Sequence, residues 1–166
     1  MKGKILLGLT VILILTGAAV PVKADDVWKF DAQRFVLKEY TGTETDVVVP
    51  DTMDEGVPVK RLGTQLLAGS ETLTSVVVPD SVTILDVGAL SYDNNLSEIT
   101  LSSNLINIGW NAISSNDALT ELTIPASVCI IDSYAVSGCY ALKKIVFEGA
   151  CPLIGSEAFV MLSDDV

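Results

Sequence analysis

The sequence has no histidine, only three cysteines and few aromatic residues, which make up 6% of its 166 positions. Without histidine, it lacks the usual general base, the Ser-His and Cys-His catalytic pairs and the commonest metal ligand. Three cysteines are too few for a small scaffold held by disulfides. The sequence also contains no P-loop and no glycine-rich phosphate-binding motif. We therefore expect no cofactor, no metal site and no enzymatic activity, and a fold held by an apolar core.

Basic residues are also scarce. The chain has ten of them against 21 acidic residues, and its net charge is −11. Residues 1–24 contain three of the basic residues and none of the acidic ones, so the remainder carries a net charge of −14. A charge of this size repels anionic polymers and anionic surfaces. We expect no nucleic-acid partner.

Residues 1–24 have the composition of a secretory signal peptide. Lys2 and Lys4 precede an apolar run at 5–20, and residues 22–24 read Val-Lys-Ala, a small-residue cleavage site. A retained membrane anchor is the alternative interpretation. No other apolar run is long enough to span a bilayer. We expect a secreted, extracellular protein with no stable membrane anchor. Association with the cell surface is an alternative within this expectation.

The strongest pattern is a repeat of 23 residues, which starts at Leu73, Leu96, Leu119 and Leu142. Further apolar residues recur at fixed offsets from each leucine. Offset 3 holds Val76, Ile99, Leu122 and Ile145, offset 12 holds Leu85, Ile108, Ile131 and Ile154, and offset 16 holds Ala89, Ala112, Ala135 and Ala158. A fixed period of this length indicates a solenoid. Each coil buries its apolar side only against its neighbours, so the inward positions repeat while the outward ones vary.

The repeat also predicts local structure. Each leucine starts a short strand of the form LxxIxL, a second extended segment precedes offset 12, and the alanine lies in a tight helical turn. An irregular first copy begins with TDVVVPD at 45–51 and contains a turn at 54–56. The prediction is a mainly β repeat solenoid of about five coils over residues 44–166. Residues 25–43 lie outside the register and form an N-terminal cap, in which Phe35, Leu37 and Tyr40 cover the first coil.

Outward positions of the first strands are the candidate binding residues. They are Ser75, Val77, Glu98, Thr100, Glu121, Thr123, Lys144 and Val146. They form either a contact face for a protein or glycan partner, or a solvated ladder with a Glu121–Lys144 ion pair. Stacked strands would bring Glu98 and Glu121 about 4.8 Å apart at the backbone. Two close carboxylates are what glycosidases use, but this open surface argues against catalysis.

Aromatic and cysteine side chains carry further expectations. The aromatic residues after the second strands either anchor a partner or pack over the alanine turns; they are Tyr92, Trp110, Tyr134 and Tyr140. Cys139 is expected to fill an inward turn position. Cys129 and Cys151 differ by one in their offsets, which points their side chains to opposite faces and argues against a disulfide bond.

The segments LTSVVVPDSVTILDVGAL, LTELTIPASVCIIDSYAVSGC and IGSEAF resemble the BspA-type (Treponema-type) bacterial leucine-rich repeat, whose pattern is roughly CxxLxxIxIPxxVxxIGxxAFxxC. The resemblance implies a leucine-rich repeat solenoid at or near a bacterial surface, with binding or adhesive roles and no catalytic residues. Two departures are visible. Ser102 and Glu148 replace the proline, and Ser70, Asp93 and Asn116 replace the cysteine that Cys139 keeps.

We therefore expect a secreted or cell-surface leucine-rich repeat protein that mediates protein–protein binding or adhesion to a host or neighbouring cell. The alternative is a structural element of a larger surface assembly, or a truncated repeat protein without its own ligand. The C-terminal coil ends with the apolar residues Val160, Met161 and Leu162. An uncovered apolar coil favours association, so self-association through this coil is a further expectation.

Overall fold

The computed structural model describes residues 27–163, which form a β-solenoid of about five coils. The predicted signal peptide lies outside the described residues. The strands are β1 (Trp28–Asp31), β2 (Val36–Tyr40), β3 (Asp46–Val48), β4 (Thr52–Met53), β5 (Val57–Pro58), β6 (Arg61–Leu62), β7 (Ser75–Val77), β8 (Ile84–Leu85), β9 (Glu98–Thr100), β10 (Asn107–Ile108), β11 (Glu121–Ile124), β12 (Ile130–Ile131), β13 (Lys144–Phe147) and β14 (Leu153–Ile154).

The second strands of the coils form one long sheet with the order β1-β2-β6-β8-β10-β12-β14. From β2 to β14 all pairs are parallel, and the offset-12 residues align in the order Leu62, Leu85, Ile108, Ile131 and Ile154. The first four of these side chains are fully buried. This column confirms the predicted stacking of like residue on like residue.

The first strands form a second column that is divided. Strands β3, β7 and β9 make one parallel sheet, and β11 and β13 make another. Within each sheet the register is the predicted one, with Val47 opposite Val76 and Leu122 opposite Ile145. The expected continuous ladder is therefore interrupted between Thr100 and Glu121.

Tight turns around the repeated alanines join each second strand to the next coil. Ala89, Ala112 and Ala135 have no exposed surface, which lets neighbouring backbones approach closely. A residue with a left-handed φ, between 54° and 62°, precedes each turn alanine. In the first coil it precedes Leu66, which takes the place of the alanine. These residues are Gln65, Gly88, Asn111, Tyr134 and Glu157. The turns are thus tight but not helical. A 3-10 turn spans Asp54–Gly56, where a turn was predicted.

An antiparallel hairpin of β1 and β2 precedes the first coil. Strand β2 continues in parallel into the long sheet, because Leu37 pairs with Leu62. The N-terminal segment therefore extends the long sheet by one strand before the first coil. Leu37 is fully buried, and Tyr40 packs on Trp28 with ring centroids 4.3 Å apart. Phe35 was expected to cover the first coil, but it is 42% exposed and does not pack against the core, so that expectation is wrong.

Candidate binding surface

The outward side chains of β3, β7, β9, β11 and β13 form an exposed surface, here called the first-strand face. Its members are Asp46, Val48, Ser75, Val77, Glu98, Thr100, Glu121, Thr123, Lys144 and Val146. Successive side chains of a strand point to opposite sides, so the residues between them are inward. The structure brings all eight candidates to this face, where Ser75 is half-buried and the other seven are exposed.

Hydrogen bonds and charges order the edge of this face. The hydroxyl of Ser75 donates to Oδ1 of Asp46 at 2.6 Å, and Thr74 donates to the same oxygen at 3.1 Å. Together with Thr45 these bonds favour the charged carboxylate and lower the pKa of Asp46. At the other end, Nζ of Lys144 lies 3.0 Å from Oε2 of Glu121, which is the ion pair predicted for a solvated ladder.

Glu98 and Glu121 belong to different sheets, because the ladder is interrupted between β9 and β11. No ladder pairing therefore fixes the spacing of these two carboxylates. Glu121 is instead paired with Lys144 of the next coil. The arrangement is that of a charged surface rather than of two carboxylates held on either side of a substrate.

A row of β-branched side chains runs through the centre of the first-strand face: Val48, Val77, Thr100, Thr123 and Val146. Of these, Val48 is 55% exposed and Val77 is 39% exposed. Single exposed apolar residues are common on any protein. Several in one row, bordered by carboxylates and a lysine, form an apolar strip with a polar rim, the usual anatomy of a protein interface.

The aromatic residues on the turns do not form one cluster. Tyr92, Trp110 and Tyr140 are exposed. Tyr134 is half-buried, and its ring meets that of Trp110 edge-on with centroids 6.4 Å apart. A hydrogen bond with Glu157 raises the pKa of Tyr134. Tyr92 and Tyr134 both have a left-handed φ, so the backbone of the tight turns sets the direction of these two side chains.

The residues in place of the family cysteine form a buried polar ladder. Asp93 accepts a hydrogen bond from the amide of Ser70, and the amide of Asp93 donates to Asn116. The Asn116 side chain donates to the carbonyl oxygens of Leu90 and Ile113. The ladder therefore satisfies turn amides and carbonyls that would otherwise be buried without partners.

The three cysteines are free thiols. Cys139 is fully buried and its Sγ donates to the Ile113 carbonyl at 3.1 Å, which confirms the inward position. Burial raises the pKa of this thiol to about 11, which keeps it protonated and unreactive. Cys129 and Cys151 are exposed. No bridge joins them in the described residues.

A basic groove at the N-terminal end was not predicted. Arg34, Lys38 and Arg61 line it, on the outer side of the long sheet. One signal in the sequence was available: there is no basic residue between Leu62 and Leu142. The clustering of basic residues before that stretch could have indicated a distinct cationic site.

Neither a metal cluster nor a membrane span is found in residues 27–163. No three cysteine or carboxylate side chains there are arranged to hold a metal ion. No helix in this part of the chain is long and apolar enough to cross a membrane.

Comparisons with known proteins agree with this architecture. A leucine-rich repeat protein from Bacteroides capillosus is 34% identical, and the match covers 74% of this chain and 93% of that one with a TM-score of 0.62. A T. pallidum leucine rich repeat protein is 20% identical over 82% of this chain and 87% of that one, with a TM-score of 0.53.

A leucine rich cell surface protein from Faecalibacterium prausnitzii is 22% identical, and the match covers 81% of this chain and 44% of that one with a TM-score of 0.56. These last two likenesses concern the fold alone. No curated protein matches the chain. The BspA type leucine rich repeat pattern matches residues 60–163 in six copies. The chain therefore belongs to the BspA type leucine rich repeat family.

Proposed function

We propose that the protein is exported and acts as a protein-binding, adhesive module at or near the cell surface, with the first-strand face as its contact surface and no catalytic activity. The observation that carries the proposal is the exposed row of Val48, Val77 and Val146. Valine is favoured in strands in general, but three exposed valines in one row leave a continuous apolar surface in water. A partner that covers the row would remove this apolar surface from water.

Charge indicates the kind of protein partner. Asp46, Glu98 and Glu121 are exposed beside the valine row, and the whole chain has a net charge of −11. A partner with an apolar strip and a basic rim would match both features. The residue types at the N-terminus support export, and the F. prausnitzii relative is described as a cell surface protein.

A pair of matched variants tests this surface. Val77 is 39% exposed on the first-strand face, and Val87 is 41% exposed elsewhere on the solenoid. We would immobilise the protein, capture binding proteins from host-cell and neighbouring-cell extracts, and compare Val77→Asp with Val87→Asp. A specific partner should be lost with Val77→Asp and kept with Val87→Asp. Equal capture by both variants would refute the first-strand face as the contact surface.

Self-association through the last coil is a second proposal, carried by a different observation. Leu153 is 75% exposed and Ile154 46% exposed, and β13 and β14 are edge strands of their sheets. Apolar edge strands favour pairing with another chain. A second copy packed on this coil would make the protein an element of an assembly. Light scattering should then show a dimer that Leu153→Asp dissociates and Val87→Asp does not; a monomer at all concentrations would refute it.

A further inference from the structure

We propose that the groove between the β1–β2 hairpin and the first coil is a binding site for an acidic sugar unit, whose carboxylate or sulfate group lies between Arg34 and Arg61. The groove has a volume of about 540 Å³. Its lining residues are Arg34, Val36, Lys38, Arg61, Gly63, Thr64 and Asp86. It lies on the second-strand sheet, so it is distinct from the first-strand face.

Backbone contacts fix the shape of this groove. Strand β2 pairs in parallel with β6, and the amide of Gly63 donates to the carbonyl of Leu37 at 2.8 Å. A Cβ at Gly63 would lie 2.5 Å from that carbonyl oxygen, so no side chain fits at this point of the floor. The amide of Arg61 donates to the Phe35 carbonyl at 3.1 Å, which ties the hairpin turn to the base of Arg61.

Among the cationic side chains of the groove, Lys38 is paired with Asp31 at 2.7 Å, whereas the two arginines are incompletely paired. Nη2 of Arg61 contacts the carboxylate of Asp86, but Nε of Arg61 is buried and has no hydrogen-bond acceptor among the described residues. The guanidinium of Arg34 has no carboxylate partner in residues 27–163. A buried N–H without an acceptor is unfavourable. The Arg61 side chain is 42% exposed, so an anionic oxygen could contact its exposed nitrogens and the Arg34 guanidinium and give each a charge-assisted partner.

The surroundings restrict the anion to a short unit. From Leu62 to Leu142 the chain has no basic residue but carries Glu71, Asp80, Asp86, Asp93, Glu98, Asp117, Glu121 and Asp132. A long polyanion that left the groove along the solenoid would meet these carboxylates and be repelled. No further basic side chain follows the groove along the solenoid until Lys143. Its volume lies in the range typical of small-ligand sites.

The polarity of the lining favours a sugar over a peptide. Peptide sites depend on apolar or aromatic anchor pockets. This groove has no aromatic lining residue, and its one aliphatic side chain, Val36, is buried. The planar guanidinium group of arginine can donate two parallel hydrogen bonds to the oxygens of a carboxylate or a sulfate. The exposed hydroxyl of Thr64 adds a donor and acceptor for sugar hydroxyls.

Calorimetric titration of the protein would test the site with three probes: a galacturonic acid trisaccharide, a sulfated heparin-derived disaccharide and an oligo-glutamate peptide. The variants are Arg34→Gln and, as a matched control, Lys143→Gln. Lys143 is exposed and belongs to the fifth coil, so its loss changes the net charge equally without touching the groove. Circular dichroism checks that each variant is folded. Arg34 is itself exposed, which keeps its replacement mild.

We expect one of the two sugars to bind, and Arg34→Gln to weaken that binding about tenfold or more while Lys143→Gln leaves it unchanged. The stronger of the two sugars identifies the anionic group as carboxylate or sulfate. Three outcomes would overturn the proposal: no binding of either sugar, equal weakening by both variants, or tighter binding of the oligo-glutamate than of both sugars.

Discussion

The backbone amide of Ser70 donates a hydrogen bond of 2.6 Å to Oδ1 of Asp93, while Oδ2 of Asp93 is buried and has no partner among the described residues. Asp93 is fully buried inside the polar ladder of the turns. Burial disfavours the charged carboxylate and raises its pKa from 3.8 to about 7. Replacing the Asp93 carboxylate by a neutral amide should therefore change how the stability of the protein depends on pH.

Asp93→Asn should stabilise the protein most at neutral and alkaline pH. Because the folded-state pKa of Asp93 lies above its unfolded value, its favourable contribution is complete below about pH 4 and is lost as the pH rises through about 7. The variant avoids this loss. The free energy of unfolding, measured by urea denaturation, should favour Asp93→Asn by on the order of 2–4 kcal/mol more at about pH 8 than at about pH 4.

Wild type and variant share all other carboxylates, so their difference isolates position 93. Asn116 occupies the same position one coil later, and its amide group finds acceptors in the Leu90 and Ile113 carbonyls. An asparagine therefore suits this ladder. A stability difference that does not change with pH would show that Asp93 is charged without penalty in the folded protein.

Gln65→Gly should raise stability, because Gln65 is exposed and has a φ of 55°. A left-handed φ costs an ordinary residue about 1–2 kcal/mol, and glycine adopts it without strain. The gain is partly offset by the entropy of glycine in the unfolded chain, so we expect about 0.5–1 kcal/mol. Gln33, also exposed and outside the left-handed region, is the control. Gln33→Gly should be neutral or destabilising; similar gains at both sites would contradict the explanation.

The 23-residue spacing was sufficient to predict the columns of the solenoid. A side chain such as Ile108 must repeat as apolar because it touches its equivalents above and below, so burial is visible in one sequence. The inward Cys139 and the turn at Asp54–Gly56 follow from the same spacing. The outward position of Glu98 follows from strand alternation.

The features that were missed depend on contacts that a spacing does not encode. Val36 and Leu37 join the second-strand sheet by pairing with residues about one coil later, and no offset of the 23-residue repeat predicts this pairing. Tyr92 and Met161 adopt a left-handed φ without the glycine or asparagine that usually indicates one. The basic groove arises because a hairpin turn returns Arg34 to Arg61 in space.

Ile108→Asp should unfold the protein, whereas Thr100→Asp should be tolerated. Ile108 is fully buried between Leu85 and Ile131, so the aspartate would place an unpaired charge in the core column. We expect a loss above about 4 kcal/mol for Ile108→Asp and about 0.5 kcal/mol or less for the exposed Thr100. Urea denaturation measures both. Similar losses would refute the assigned facing of the strands.

The final prediction concerns the exposed last coil. It compares isoleucine residues at equivalent positions of the fourth and fifth coils. Ile131 and Ile154 pair with each other in the sheet, but Ile131 is fully buried and Ile154 is 46% exposed. Ile131 loses contacts on both sides when it is truncated, and Ile154 on one side only. Ile131→Ala should cost about 2–5 kcal/mol and Ile154→Ala about 1 kcal/mol, measured by urea denaturation at low protein concentration.

Concentration extends this comparison to self-association. If a second copy covers the last coil, Ile154 becomes buried in the dimer, and the cost of Ile154→Ala should rise with protein concentration by mass action. The cost of Ile131→Ala, relative to wild type, should stay nearly constant, because its neighbours belong to the same chain. A cost of Ile154→Ala that equals that of Ile131→Ala even in dilute protein would mean that the fifth coil is packed as fully as the fourth.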